Sequence, residues 1–256
     1  DRLRSRGLGD VYKRQEEDWM RSIVTACDAY TAKGVTSAQD GFTQEKQWAQ
    51  LRKAHEKGLL RNRVQILPGL GCCDLNQFTS HASGTPLTAD RKISLGAVKH
   101  LVDGSLQCYT GCLSNPYHKI IYDLPDGPMW RGYPMEPEQQ FIEKVVGLHR
   151  QGWQLAIHGN GDAGIEDILN AFEEAQKAYP RANARHIIIH CQTVREDQLD
   201  RIERLGVVRL LFGSILLFGS VLLLGFVLLL GSVLLLGSVF LLGSVLLLSL
   251  IHISEP

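Results

Sequence analysis

Between Glu16 and Val208 the chain alternates short apolar runs with longer stretches in which apolar residues recur every three or four positions. The spacing predicts a helix from Glu16 to Gly34, with Trp19, Ile23, Cys27 and Tyr30 on one stripe and Gly34 at the C-cap. Val35 to Gln39 reads as a strand stopped by the turn signal Asp40-Gly41. A helix from Thr43 to Lys57 follows, then a strand from Arg63 to Leu67 stopped by Pro68-Gly69. A loop-like stretch to Asp90 precedes a strand around Ala97–Val102, which meets Asp103-Gly104-Ser105. From Gln107 to Pro137 glycine and proline interrupt any period, as in a lid or a disordered connection. Glu138 to Arg150 is the next helix. Two apolar runs then each end in histidine, Gln154–His158 and His186–His190, separated by a helix from Asp162 to Ala178. A last helix, Val194 to Leu205, leads into Val207-Val208.

Regular alternation of strand and helix implies a parallel sheet with right-handed crossovers, either doubly wound or a (β/α)8 barrel. No GxGxxG opens a βαβ unit and no GxxxxGK[ST] occurs, so the nucleotide folds lose their main signature. Barrels place chemistry at the ends of several strands, and that pattern recurs here. The expected architecture is therefore α/β, an incomplete (β/α)8 TIM barrel with five strands and the start of a sixth.

The chain changes character after Val208. From Leu210 to Ser254 there is no Asp, Glu, Lys or Arg, and glycine recurs every six residues from Gly213 to Gly243. This low-complexity hydrophobic tail is longer than the roughly 20 residues that span a bilayer. Six is not a helical period, however, and the glycines form no common seam. The final residues, Leu248 to Pro256, resemble translated sequencing adapter, as do the first, up to Gln15. The expected organisation is an artefact-like extension over 1–15, a barrel segment over 16–208 and a repeat tail over 209–256, artefactual or membrane-like.

Lys plus Arg and Asp plus Glu both number 27, so no global charge argues for nucleic acid. Six scattered cysteines without a CxxC read as reduced thiols. With no secretory signal pattern visible, a cytoplasmic protein is expected, or one associated with a membrane through 210–250 if the repeat is genuine.

Chemistry concentrates at strand ends. His158 and His190 close equivalent runs one βα unit apart, where neutral imidazoles make good zinc ligands; a core imidazole bonded to a carbonyl is the ordinary alternative for each. Lys99 lies in the apolar strand Val98–Val102, either as an edge lysine reaching water or as an amine carbamylated by CO2 to bridge metals. Asp162 is expected to cap its helix, with orientation of an imidazole as the alternative. Gln192 is a candidate substrate contact, or a turn residue. His81, His100, His118, His149 and His186 are expected on the surface or in loops, and no GxSxG elbow supports a serine nucleophile.

The segments Val98–Gln107, Ala156–Ala163 and Ile188–Thr193 together resemble the amidohydrolase superfamily. More narrowly they resemble its amidohydrolase-3, YtcJ-like branch, which includes N-substituted formamide deformylases. The resemblance covers Glu16 to Val208 and implies a metal-dependent barrel that hydrolyses a non-peptide, amide-type carbon–nitrogen bond by metal-activated water. It makes Lys99 the bridging lysine of the fourth strand, His158 the fifth-strand ligand and His190 the sixth-strand ligand of one or two divalent ions, zinc being expected. The His-x-His pair of the family's first strand and the general-base Asp of its eighth are absent from the sequence, so the resemblance supplies no catalytic base and implies an inactive chain. A small-molecule amide is the expected partner. The alternative from another class is a membrane-anchored small-molecule-binding protein with a degenerate barrel.

Overall fold

A computed structural model of the chain describes residues 16–119 and 126–210; the extension over 1–15 and the repeat tail, with its membrane-like reading, lie outside the described residues. Among those residues no helix is long and apolar enough to cross a membrane.

The elements run α1 (Glu16–Thr31), β1 (Ser37–Thr43), α2 (Glu45–Glu56), β2 (Arg63–Pro68), β3 (Ile93–Leu95) and β4 (Val98–Leu101). They continue with α3 (Glu138–Arg150), β5 (Leu155–Gly159), α4 (Asp162–Ala178), β6 (Ile187–His190), α5 (Glu196–Arg204) and β7 (Val208–Leu210). The pairings between these strands are parallel: β1 with β2, β2 with β3, β4 with β5, β5 with β6 and β6 with β7; Pro86, in the loop before β3, bridges Ser94 antiparallel. Gly69, just beyond β2, bridges Lys99 in β4, and Leu70 N–H donates to Lys99 O at 2.9 Å. Ile93–Leu101 is therefore one broken strand, paired to β2 by its first half and to β5 by its second. The break falls at Gly96, whose N–H donates to Ile66 O at 2.7 Å. A Cβ there would lie 2.8 Å from that oxygen, so only glycine fits. The wall β1-β2-β3/β4-β5-β6-β7, with helices in the connections, is the incomplete TIM-barrel arrangement that the alternating pattern predicts.

Alternation along each strand sorts two faces. Val64, Ile66, Val98, Leu155, Ile157 and Ile188 pack with the helices, against Phe141, Val145, Ile165, Ile168 and Phe172. Leu67, Ala97, Ala156 and Ile189 form a second cluster on the opposite face. The helices follow from their stripes: Phe141, Val145 and Leu148 are the buried apolar positions of α3, and Ile165, Ile168, Leu169, Phe172 and Ala175 those of α4. Burying a side chain of this size contributes roughly 1.5–3 kcal/mol.

Three expectations change. Asp40-Gly41 does not stop β1; the strand runs on to Thr43 and absorbs the turn signal as an irregularity in its register with β2. Ile93–Leu95, unassigned by the sequence pattern, is a strand because β2 offers it a free edge. His100, His149 and His186 are not surface or loop residues. His149 and His186 are buried, and His100 stacks on Phe141 with its Nε2 2.7 Å from Glu136 Oε1.

Candidate metal centre

Lys99 and His158 share strand parity with Ala97 and Ala156, so both face away from the helices. His190 follows Ile189, which already occupies that face, and simple alternation would turn the imidazole toward the helices. Its backbone does not alternate: φ is 74° at His190 and 52° at Cys191, two consecutive left-handed residues that are not glycine. Such conformations cost of order 1–3 kcal/mol each and persist where surrounding structure enforces them. The turn brings the His190 ring edge-on to that of His158, with centroids 4.7 Å apart.

Burial decides the protonation states. It pushes His158 down to about 4 and His190 to about 4, with the Lys99 charge as the second cause for both. Each imidazole is therefore neutral at pH 7, the form that binds a metal. Lys99 is itself 6% exposed, and desolvation lowers its amine to about 7 against the opposing pull of Asp103. It is neither an edge lysine nor one that reaches water, since β4 is bounded by β5 on one side and Gly69 on the other. The Lys99 charge is thus felt by both imidazoles, and the structure brings the His158 and His190 rings into contact.

The polar atoms around them are incompletely matched. Lys99 Nζ, Asn160 Oδ1 and Gln192 Oε1 are buried without a hydrogen-bond partner. Native interiors rarely leave such atoms unpaired. His158 Nε2 lies 2.9 Å from Gly104 O and 3.0 Å from Asn160 Nδ2, so this nitrogen holds either a proton for the carbonyl or a lone pair for the amide. In the second tautomer the lone pair is the one a cation would take. Two neutral imidazoles and an orphaned amine fit part of a metal centre. Among the described residues no three His, Cys, Asp or Glu converge to form a whole one.

Two neighbours depart from the sequence reading. Asp162 is not the cap of α4; Gly161 occupies the N-cap position and Asp162 stands in the first turn. Its carboxylate instead accepts Ser114 N–H at 2.9 Å and the Ser114 hydroxyl, and pairs with Arg195 at 3.3 Å. Asp103, read only as part of a turn, is fully buried and lies 3.7 Å from His158 Nε2. Burial lifts its carboxyl above the usual range, against the pull of three backbone N–H donors and Lys99. The signal that could have found it is its place directly after an apolar strand, where an aspartate needs fixed partners if it is buried.

The amidohydrolase family model matches residues 4–211. Over 116 residues the chain is 28% identical to YtcJ of Bacillus subtilis (strain 168), named as an amidohydrolase; the match covers 45% of this chain and 20% of that protein. Crystal structures of uncharacterized metal-dependent hydrolases are similar to it in fold and sequence. One from Pyrococcus furiosus superimposes with a TM-score of 0.63 at 26% identity, covering 80% of this chain and 40% of that one. One from Pyrococcus horikoshii OT3 gives 0.60 at 26% identity, covering 77% and 37%. The chain thus spans about two fifths of the length of the solved structures it matches.

Proposed function

This chain belongs to the amidohydrolase family, and from that footing we propose that it carries the central strands of a metal-dependent hydrolase acting on non-peptide, amide- or formamide-type carbon–nitrogen bonds. The observation that carries the reading is the edge-on pairing of His158 and His190 at 4.7 Å, with Lys99 acting on both. The metal dependence of the solved neighbours supports it.

In this proposal His158 and His190 hold a divalent ion, zinc by preference, as neutral imidazoles. Lys99 adds a carboxylate once its neutral amine takes up CO2, forming an N–C bond and releasing one proton. A bound ion of this kind supplies Lewis acidity and lowers the pKa of water to near neutrality. In the same proposal Gln192, whose Oε1 is buried without a hydrogen-bond partner, contacts the substrate. The 256-residue chain has no His-x-His pair and no Asp beyond Asp200, so the half-site lacks a donor pair and a general base, and we propose that this polypeptide binds metal without turning over.

Metal analysis of the purified chain tests the binding. Zinc or cobalt should bind to the wild type, and H158A or H190A should abolish it. Equal metal content in all three proteins would sink the assignment. Metal-dependent release of formate from an N-substituted formamide by the wild-type chain would overturn the proposed inactivity and uphold the bond class.

A further inference from the structure

Asp103 sits at the turn after β4, and its two oxygens accept from three backbone N–H groups, with His158 Nε2 3.7 Å from Oδ1. Oδ1 accepts Asn160 N–H at 3.0 Å, while Oδ2 accepts Gly161 N–H at 2.8 Å and Cys112 N–H at 2.9 Å. Asn160 and Gly161 form the turn after β5, more than fifty residues along the chain, and Cys112 belongs to the long excursion between β4 and α3. The lacing continues to the next strand. Gly159 O accepts Cys191 N–H at 2.9 Å, and Asn160 O accepts both Thr193 N–H at 3.1 Å and Thr193 Oγ1 at 2.9 Å. Those bonds fix the left-handed turn at His190 and Cys191. Beside Asp103, Gly104 O receives Asn160 Nδ2 at 2.8 Å and faces His158 Nε2.

We propose that Asp103 is the positioning residue of the half-site: its carboxylate ties the turn after β4 to the turn after β5 directly, and through the carbonyls of Gly159 and Asn160 to the turn after β6, and thereby sets where the His158 and His190 rings stand. Its relevance to hydrolysis rests on the metal-dependent reading above; its geometric role does not. Three N–H donors converge on this side chain, and an ionised carboxylate is acceptor-only, with lone pairs enough for all of them. Bonds from neutral N–H groups to an anion are also about twice as strong as neutral pairs. Asparagine at this position has one acceptor oxygen and would turn an NH2 toward an N–H. Gly164 keeps the space beside the carboxylate open, since a Cβ there would lie 3.0 Å from Oδ2.

The test compares the 15N-labelled full chain with D103N by NMR, following amide hydrogen exchange and the imidazole nitrogen signals, and by Co2+ titration. In D103N the amides of Cys112, Asn160 and Gly161 should exchange faster, on the order of tenfold or more. The ring signals of His158 and His190 should move, while those of His149 and His186, farther from the turns, stay in place. Co2+ affinity should fall roughly 10–100-fold, as for other residues that orient ligands. Faster amide exchange with both ring signals unmoved would make Asp103 merely structural and overturn the proposal. If the wild type binds no Co2+, the metal reading falls and the ring signals alone decide the positioning role. Should D103N fail to fold, G164A decides, because its added methyl would press on Oδ2 while the carboxylate stays in place: moved His158 and His190 signals support the positioning role, and unmoved ones overturn it.

Discussion

His149 Nδ1 lies 2.8 Å from His186 Nε2, and the bonds at either end of this pair fix both tautomers. Leu155 N–H donates to His186 Nδ1 at 3.1 Å, so the proton of that ring is on Nε2 and is given to His149. His149 in turn donates from Nε2 to Tyr179 O at 2.7 Å. The pair ties the end of α3, the start of β5, the end of α4 and the start of β6 with every ring nitrogen matched, and protonation would place a second donor against a donor. Burial accordingly holds His186 down at about 3, helped by His149 and the Arg181 charge.

Acid sensitivity follows. An unfolded histidine titrates near 6.5, whereas His186 titrates at about 3 and His158 and His190 at about 4 in the folded chain. Between those values the unfolded chain binds more protons, so stability is complete above pH 6.5 on this limb and falls as the pH drops. His186 alone should cost about 2 kcal/mol between pH 7 and pH 5. Urea unfolding at the two pH values and constant ionic strength measures it; equal stabilities would contradict the assigned tautomers.

Arg201 should matter through its shape as well as its charge. Its guanidinium meets Glu173 through Nε at 2.9 Å and Nη2 at 3.0 Å, reaches Asn170 Oδ1 at 2.8 Å and also pairs with Glu166, clamping α5 to α4. Lysine cannot reproduce that fork. R201K is expected to lose about 1–2 kcal/mol, the carboxylates being partly open to solvent. Urea unfolding of R201K, E173Q and the double variant should show a shared loss; additive effects would mean the fork contributes nothing specific.

Much of this architecture is legible in the periodicities, and the parts that are not have a common cause. The strands ending at His158 and His190 were readable because an apolar run closed by histidine is a local signal. Asp103 was not, because Asp-Gly-Ser reads as a turn by local rules and its partners lie at Cys112, Asn160 and Gly161. Ile93–Leu95 was missed for a similar reason, since three residues carry no period and become a strand only against β2. The buried pair did leave a trace: His149 sits eight residues after Phe141 on the buried stripe of α3, and His186 has the parity of Ile188. Asking which face an isolated histidine shares would have placed both in the core.

Two glycines should respond to alanine in opposite directions. Gly147 lies inside α3, where a Cβ would meet nothing within 4 Å, so G147A should stabilise by about 0.5–1 kcal/mol through lost freedom of the unfolded chain. At Gly161 a Cβ would fall inside contact distance of the Cys112 backbone, which cannot swing aside as a side chain does. G161A should cost about 1–3 kcal/mol. Thermal unfolding of both variants reads the contrast, and a neutral G161A would mean that the excursion does not seat on the start of α4.

Lys99 offers the sharpest separation of structure from function. Its amine titrates at about 7 when folded and near 10.4 when unfolded, so between those values the unfolded chain binds more protons and stability rises with pH. Below pH 7 the native fold carries the cost of a buried, orphaned ammonium. Met has a similar reach without the charge, and K99M should be more stable than the wild type at pH 6 by a few kcal/mol, with the advantage shrinking as the pH rises toward 10. Removing the cation should also raise the titration points of His158 and His190 from about 4 toward, but not to, 6.5, because burial remains the larger cause for each. Urea unfolding across that pH range and NMR titration of the two rings measure both effects. A destabilised K99M with unmoved imidazole titrations would place the Lys99 amine away from the rings and leave the half-site without its third member.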